Sequence, residues 1–186
     1  MQRAWLPVAL LAFACIPSPL SAQEKLTPSN LPAFLKQYDT NFSLLDEVYR
    51  ELAEGDLPLR DERGQPLERR PIEDRRQALS DLRQNVLRLG ANPQDLVFTA
   101  TLEFKTENLA DDLFDLSQIA YDNDQEELGK RLGDLQITMD HNKEMLAAYL
   151  LALAAEKQER IEQLEREKAE LERKLKEAGK PAPAAP

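Results

Sequence analysis

The strongest constraint on the fold is a spacing of three and four residues between apolar positions, which recurs in four segments of the chain. This period gathers apolar side chains on one face of an α-helix, whereas a strand requires a period of two. The first segment, about residues 30–54, follows Ser29 and Asn30, whose side chains suit a helix N-terminus, and stops at Gly55. We therefore expect an amphipathic helix there, with Leu45 at the centre of its apolar face.

Two further segments predict a second and a third helix. The second begins near Pro71 and ends at Gly90, in keeping with the preferred positions of these residue types. The third follows the cap Asn92-Pro93 and runs to about Tyr121. Between residues 98 and 104 apolar positions also alternate with a period of two, as in a strand. No partner strand can be found elsewhere in the sequence, so the helix is favoured.

The fourth helix is predicted to open at Asp122-Asn123-Asp124, and its apolar stripe, with Leu135 at the centre, continues to Leu153. Beyond Ala155 the composition changes to mostly charged residues, and no proline or glycine follows before Gly179. The apolar spacing nevertheless continues there along a seam formed by Ile161, Leu164, Lys168, Leu171 and Leu175. The phase change near Lys157 indicates that the helix leaves the body at that point.

These segments predict an all-α protein whose body, residues 23–155, is an up-down-up-down four-helix bundle. Residues 156–178 are expected to project from it as a charged single helix or a short coiled coil. Residues 179–186, rich in alanine and proline, are expected to form a disordered tail.

A long connection, residues 55–71, separates the first two predicted helices. Such a length is unusual between bundle helices and marks a functional or mobile segment. The basic concentration that begins in it could receive an anion, although interleaved acidic residues favour a self-neutralised surface. Its members are Arg60, Arg63, Arg69, Arg70, Arg75 and Arg76.

The first 22 residues have the pattern of a secretory signal peptide, which is expected to be cleaved after Ala22. Arg3 precedes a short apolar run from Leu6 to Ile16, too short to cross a bilayer as a helix. We therefore expect a periplasmic or secreted protein. Alternatively, the residues that end at Cys15 loosely match a bacterial lipoprotein box, and a lipidated Cys15 would anchor the chain to a membrane.

The charge of the chain disfavours nucleic acid as a partner. The formal net charge is −10, and cleavage of the leader would remove Arg3 and no acidic residue. An acidic surface repels the phosphate backbone. Cleavage would also remove the sole cysteine, so no disulfide framework is expected.

Few residues offer chemistry, and we expect neither catalysis nor a bound cofactor. The single histidine, His141, lies between Met139 and Met145, which invites a haem interpretation, but an ordinary histidine is favoured. One histidine cannot furnish the paired motifs of a di-iron bundle.

Three carboxylates, Glu107, Asp111 and Asp115, share one helical face and are candidate metal ligands. The sequence favours a solvated acidic surface instead.

The sequence therefore favours a non-catalytic exported protein that acts through protein–protein interaction of its projecting helix. Its partner would be an unknown protein or, through weak self-association, a second copy. The alternative is a sensor-like bundle that binds a small ligand, a metal or haem near Met139, His141 and Met145.

We predict that the mature protein begins at or near Gln23, because small residues precede this position in the leader. Mass spectrometry of the N-terminus of protein recovered from its native compartment checks this. A diacylglyceryl-modified Cys15 would instead establish the lipoprotein alternative.

Overall fold

A computed structural model describes residues 25–54, 59–61 and 63–178, and this part of the chain is all-helical. The predicted leader, residues 1–22, and the predicted tail, residues 179–186, lie outside the described residues. The four helices are α1 (Leu31–Glu54), α2 (Arg69–Ala91), α3 (Leu96–Asp122) and α4 (Glu126–Ala178). Residues 98–104 are helical, which resolves their ambiguous periodicity.

The helices pack against one another around one apolar core. Helix α1 packs on α2, α2 on α3 and α3 on α4, while α1 and α4 meet over a short stretch. The core draws buried leucines from all four helices and buried aromatic side chains from α1 and α4. Burial of such a core is the main favourable term in folding.

Helices α3 and α4 make the most extensive of these contacts, and two small residues lie within it. A Cβ atom at Gly129 would lie 2.9 Å from the ring of Tyr121, so only glycine fits there without displacing the ring. The Ser117 hydroxyl donates to the Gly129 carbonyl oxygen at 2.8 Å, which joins the two helices through a buried hydrogen bond. The turn between them includes Asp124 in the left-handed region, at a φ of 59°.

Buried tyrosines connect elements that are distant in the sequence. The Tyr38 hydroxyl of α1 is hydrogen-bonded to Thr106 of α3. Because the Thr106 hydroxyl donates its only hydrogen to the Leu102 carbonyl oxygen, Tyr38 is the donor in this pair. On α4, the Tyr149 hydroxyl donates to the Pro93 carbonyl oxygen in the α2–α3 turn, at 2.7 Å.

Some local expectations differ from the structure. The side chain that caps α3 is Asp95, which accepts from the Phe98 backbone N–H at 2.9 Å, rather than the expected Asn92. Helix α2 begins at Arg69, two residues before Pro71, which therefore occupies its first turn. Leu135 is half-buried at the edge of the core, whereas Leu45 is fully buried as expected.

In the described ranges, no helix combines the length and the apolar character needed to cross a bilayer.

Replacing Leu45 with alanine should lower the free energy of unfolding by about 2–5 kcal/mol, because the change removes buried contacts and leaves a cavity. Its neighbour Leu44 is 51% exposed and provides the matched control. Leu44→Ala should cost less than about 1 kcal/mol, since an exposed leucine has little buried surface to lose. Urea unfolding measures both values, and equal losses would contradict the assigned helix face.

Candidate functional site

A cleft of about 490 Å³ lies between α2 and α3, and we call it the α2–α3 cleft. Its apolar walls include Leu79, Leu82 and Leu109. A bidentate ion pair lies in it, since Arg75 Nε is 2.9 Å from Asp112 Oδ1 and 2.8 Å from Oδ2. The Arg75 Nη2 atom adds a contact of 2.7 Å to Oδ1. Such geometry is stronger and more directional than a single surface contact.

Tyr49 connects this ion pair to the core. Its ring is fully buried on α1, and its hydroxyl donates to Asp112 Oδ2 at 3.3 Å. Burial raises the pKa of Tyr49 well above its ordinary value of 10.0, and the negative charge of Asp112 raises it further. Asp112 thus receives hydrogen bonds from α1 and α2 while belonging to α3.

The charge of Asp112 also acts on Arg75. Desolvation alone would lower the pKa of the Arg75 guanidinium, but the hydrogen bonds and charge of Asp112 outweigh it and raise the pKa. Tyr49 and Arg75 are therefore each held in one protonation state at neutral pH. A general acid or base needs a pKa near the working pH, so this arrangement is suited to cross-linking three helices.

Four of the six arginines expected to form a basic concentration have individual partners. Besides Arg75, Arg76 contacts Asp46 at 3.1 Å and Arg69 contacts Glu73 at 2.8 Å. Arg60 donates to the Gly64 carbonyl oxygen at 2.9 Å. These contacts fit the self-neutralised surface that the interleaved acidic residues indicate.

The described end of the connection after α1 is attached to the body rather than loose. Leu59 is buried in the core. The Arg60 backbone N–H donates to Asn123 Oδ1 at 2.9 Å, and Asn123 Nδ2 donates back to the Arg60 carbonyl oxygen at 2.8 Å. Neither feature was predicted from the sequence, because both depend on a contact between distant segments.

The three candidate carboxylates of α3 do not form a metal site. Glu107 is half-buried, while Asp111 and Asp115 are exposed. Across the described ranges, no group of three or more histidine, cysteine or acidic side chains could hold a metal ion. The pKa of Lys143 on α4 is raised by its hydrogen bond to Asp140, and the charges of Glu107 and Asp111 also raise it. A lysine thus faces two of the three candidate ligands.

The three candidate ligands on α4, which include the histidine, differ in burial. Met139 is fully buried in the core, His141 is exposed and Met145 is half-buried. His141 and Met145 line a pocket of about 330 Å³ between α1 and α4, the α1–α4 pocket, together with Asn142. Asn142 was missed in the sequence. Its position three residues after Met139 and four before Leu146, inside an apolar stripe, could have revealed a buried amide.

The C-terminal segment, defined as residues 156–178, continues α4 without a break. Every residue from 154 to 177 is exposed. The four apolar seam residues have exposed fractions of 52% for Ile161, 47% for Leu164, 60% for Leu171 and 73% for Leu175. Lys168, the fifth seam residue, is exposed as well.

No protein-family model, curated protein or solved structure gives a significant match to this chain.

Replacing Tyr49 with phenylalanine should make the protein less sensitive to alkali. Folding raises the pKa of Tyr49. The contribution of this group to the free energy of unfolding is therefore complete below pH 10 and is lost as the pH rises from there. The loss of stability between pH 9 and pH 11 should therefore be smaller in the variant by about 1.4 kcal/mol. Urea unfolding at both pH values measures the difference.

The matched control is Tyr121→Phe, which alters an exposed tyrosine. This variant should lose as much stability as the unaltered protein over the same pH range. A Tyr49→Phe variant that behaves like the control would show that the Tyr49 hydroxyl is hydrated in the folded protein.

Proposed function

We propose that this chain is a non-catalytic, exported helical-bundle protein that acts through protein–protein interaction of its C-terminal segment. The observation that carries the proposal is the row of exposed apolar side chains at Ile161, Leu164, Leu171 and Leu175. Isolated exposed leucines are ordinary, but a regular seam on one helix face is typical of a helix that packs against another.

The proposed architecture is an up-down-up-down bundle from which the C-terminal segment projects by about 35 Å, at 1.5 Å per residue. The packing of each helix on its neighbour in the sequence supports the bundle, as do the short connections after α2 and α3. The last buried residue of α4 is Leu153. Exposure of everything from residue 154 to residue 177 supports the projection.

Local hydrogen bonds favour a helical segment even without burial. Lys174 contacts Glu170 at 2.7 Å, with the acidic residue four positions before the basic one, the more favourable order. Gln158 donates to Glu162 at 3.0 Å and Gln163 to Glu167 at 2.7 Å. A preformed helix loses less conformational entropy on association than a disordered peptide does.

The proposed partner is a second copy of this chain, bound weakly. The seam extends over little more than two heptads and includes Lys168, which is less than a secure coiled coil requires. Its four apolar side chains cannot supply the roughly 1,200–2,000 Å² that stable interfaces bury. Transient self-association at raised concentration is the outcome that such a surface supports.

An antiparallel arrangement of the two copies fits the charges better than a parallel one. In a parallel pair in register, Lys168 of one copy would face Lys168 of the other within the seam. In an antiparallel pair, Leu164 can face Leu175 and Lys168 can face Leu171. The antiparallel arrangement also keeps the two bodies at opposite ends, so they do not compete for space.

A second candidate function, binding of a small ligand, is favoured by the α1–α4 pocket beside His141 and Met145. Haem or metal ligation by the pair Met139 and His141 is disfavoured by geometry. Residues two positions apart on a helix point about 200° apart, and Met139 is in the core while His141 is exposed.

Truncation after Ala155 should leave the body folded, with a melting temperature within a few degrees of the full chain, because residues 156–177 are exposed and make no contribution to the core. Self-association measured by light scattering should disappear. A truncated protein that unfolds would show that the segment packs on the body and would contradict the proposal.

Substitutions within the full chain separate the seam from the rest of the segment. Leu164→Gln with Leu171→Gln should abolish self-association, while the control pair Arg166→Gln with Arg173→Gln, on the opposite face, should leave it intact. Single cysteines then test the orientation. An antiparallel pair predicts a disulfide between Leu164→Cys and Leu175→Cys proteins when they are mixed, and a Leu164→Cys homodimer would indicate a parallel pair.

A further inference from the structure

The side-chain amide nitrogen of Asn142 is buried without a partner. Asn142 is 7% exposed, and its Nδ2 atom has no hydrogen-bond partner among the described residues. It is the only buried side-chain nitrogen or oxygen atom in that part of the chain with this property. An unsatisfied buried donor is costly, so its presence calls for an explanation.

Asn85 on α2 shows that a buried asparagine in this fold can be satisfied. It is 6% exposed, and its Nδ2 atom donates to the Asp81 carbonyl oxygen at 2.8 Å, one turn earlier on the same helix. Asn142 also lies inside a helix and makes no such bond. The unsatisfied amide is therefore a feature of its surroundings and not of helix geometry.

Those surroundings are the α1–α4 pocket, which Asn142 lines. Its apolar wall includes Leu26, Phe34 and Met145, and its polar wall includes Thr138 and His141. Among the described residues that line it, none carries a carboxylate, ammonium or guanidinium group. A volume of about 330 Å³ is at the lower end of the range for small-molecule pockets, which suits one ring-sized molecule.

We propose that the α1–α4 pocket binds a small uncharged molecule that carries a flat apolar ring and a carbonyl oxygen. The ring lies against Phe34 and Met145, because a thioether and an aromatic face both pack well on such a surface. The carbonyl oxygen accepts a hydrogen bond from Asn142 Nδ2, which is enclosed in the free protein and reaches the pocket when the terminal torsion of asparagine rotates and exchanges the positions of Nδ2 and Oδ1. The exchange leaves Oδ1 in the enclosed position, where an unpaired acceptor oxygen is better tolerated than an unpaired N–H.

The absence of charged groups from the lining determines the class of ligand. An ionised ligand would lose its hydration without gaining a counter-charge, which is strongly unfavourable. A purely apolar ligand would leave the Asn142 amide unsatisfied. An uncharged molecule with an acceptor avoids both penalties. This inference does not depend on the C-terminal segment, whose first residue is eleven positions beyond Met145.

Benzamide is a suitable probe, since it is uncharged and combines one ring with one carbonyl oxygen. Titration of the full chain, followed by NMR of backbone amides, should show saturable binding with the largest shifts at Phe34, Asn142 and Met145. Toluene, which lacks the acceptor, should bind about fivefold more weakly, the value of one net hydrogen bond. Benzoate, which is anionic, should bind more weakly than benzamide as well.

Asn142→Leu isolates the amide, because leucine is similar in size and favours a helix. The variant should unfold at the same or a higher urea concentration than the unaltered protein, since an unsatisfied donor is removed. It should bind benzamide about fivefold more weakly and bind toluene at least as well.

Asn85→Leu is the matched control. It should leave benzamide binding unchanged and should lower the urea midpoint, since the hydrogen bond to Asp81 is lost. Absence of saturable benzamide binding up to its solubility, or equal binding by the Asn142→Leu variant, would overturn the proposal. Destabilisation by Asn142→Leu as large as that by Asn85→Leu would also overturn it, because the amide would then have a partner in the folded protein.

Discussion

The close packing of α4 on α3 is the contact on which the rest of the structure depends. It brings Gly129 against the ring of Tyr121, where a Cβ atom would lie 2.9 Å from the ring. The Ser117 hydroxyl satisfies the Gly129 carbonyl oxygen in the same place. With these two helices joined, the remaining helices have a surface on which to bury their apolar faces. A larger residue at Gly129 would displace the exposed ring of Tyr121.

Apolar spacing was sufficient to predict the helices, because it reports the face that each one buries. The prediction of residues 30–54 for α1 agrees with the observed Leu31–Glu54 to within one residue. Apolar spacing was insufficient to predict which polar residues lie inside the core. Thr99, Thr106 and Ser117 are buried on α3. Phe104, one of the apolar residues that alternate between residues 98 and 104, is 60% exposed. Small hydroxyl side chains can be buried because they donate to nearby carbonyl oxygens, and hydropathy alone does not register this.

Site residues were harder to predict than helices, because they come from distant parts of the sequence and meet only in the folded protein. The ion pair of Arg75 and Asp112 joins residues 37 positions apart, and the hydroxyl of Tyr49 reaches it from a third helix. No local spacing in the sequence predicts that these three side chains lie together. The sequence did direct attention to His141 and Met145, which line the α1–α4 pocket. They were singled out as candidate metal or haem ligands, and the pocket itself was not predicted. The neighbouring Asn142, whose amide distinguishes the pocket, was concealed within an apolar stripe.

Helix α4 is stabilised in two different ways along its length. Up to Leu153 one face of the helix is buried against the other helices, and from residue 154 to residue 177 every side chain is exposed. The first part needs the body in order to remain helical, whereas the second depends on pairs such as Glu170 with Lys174. Such pairs leave the apolar seam uncovered. A helix stabilised in this way can form before it meets a partner, so association can use the whole apolar seam without first ordering the chain.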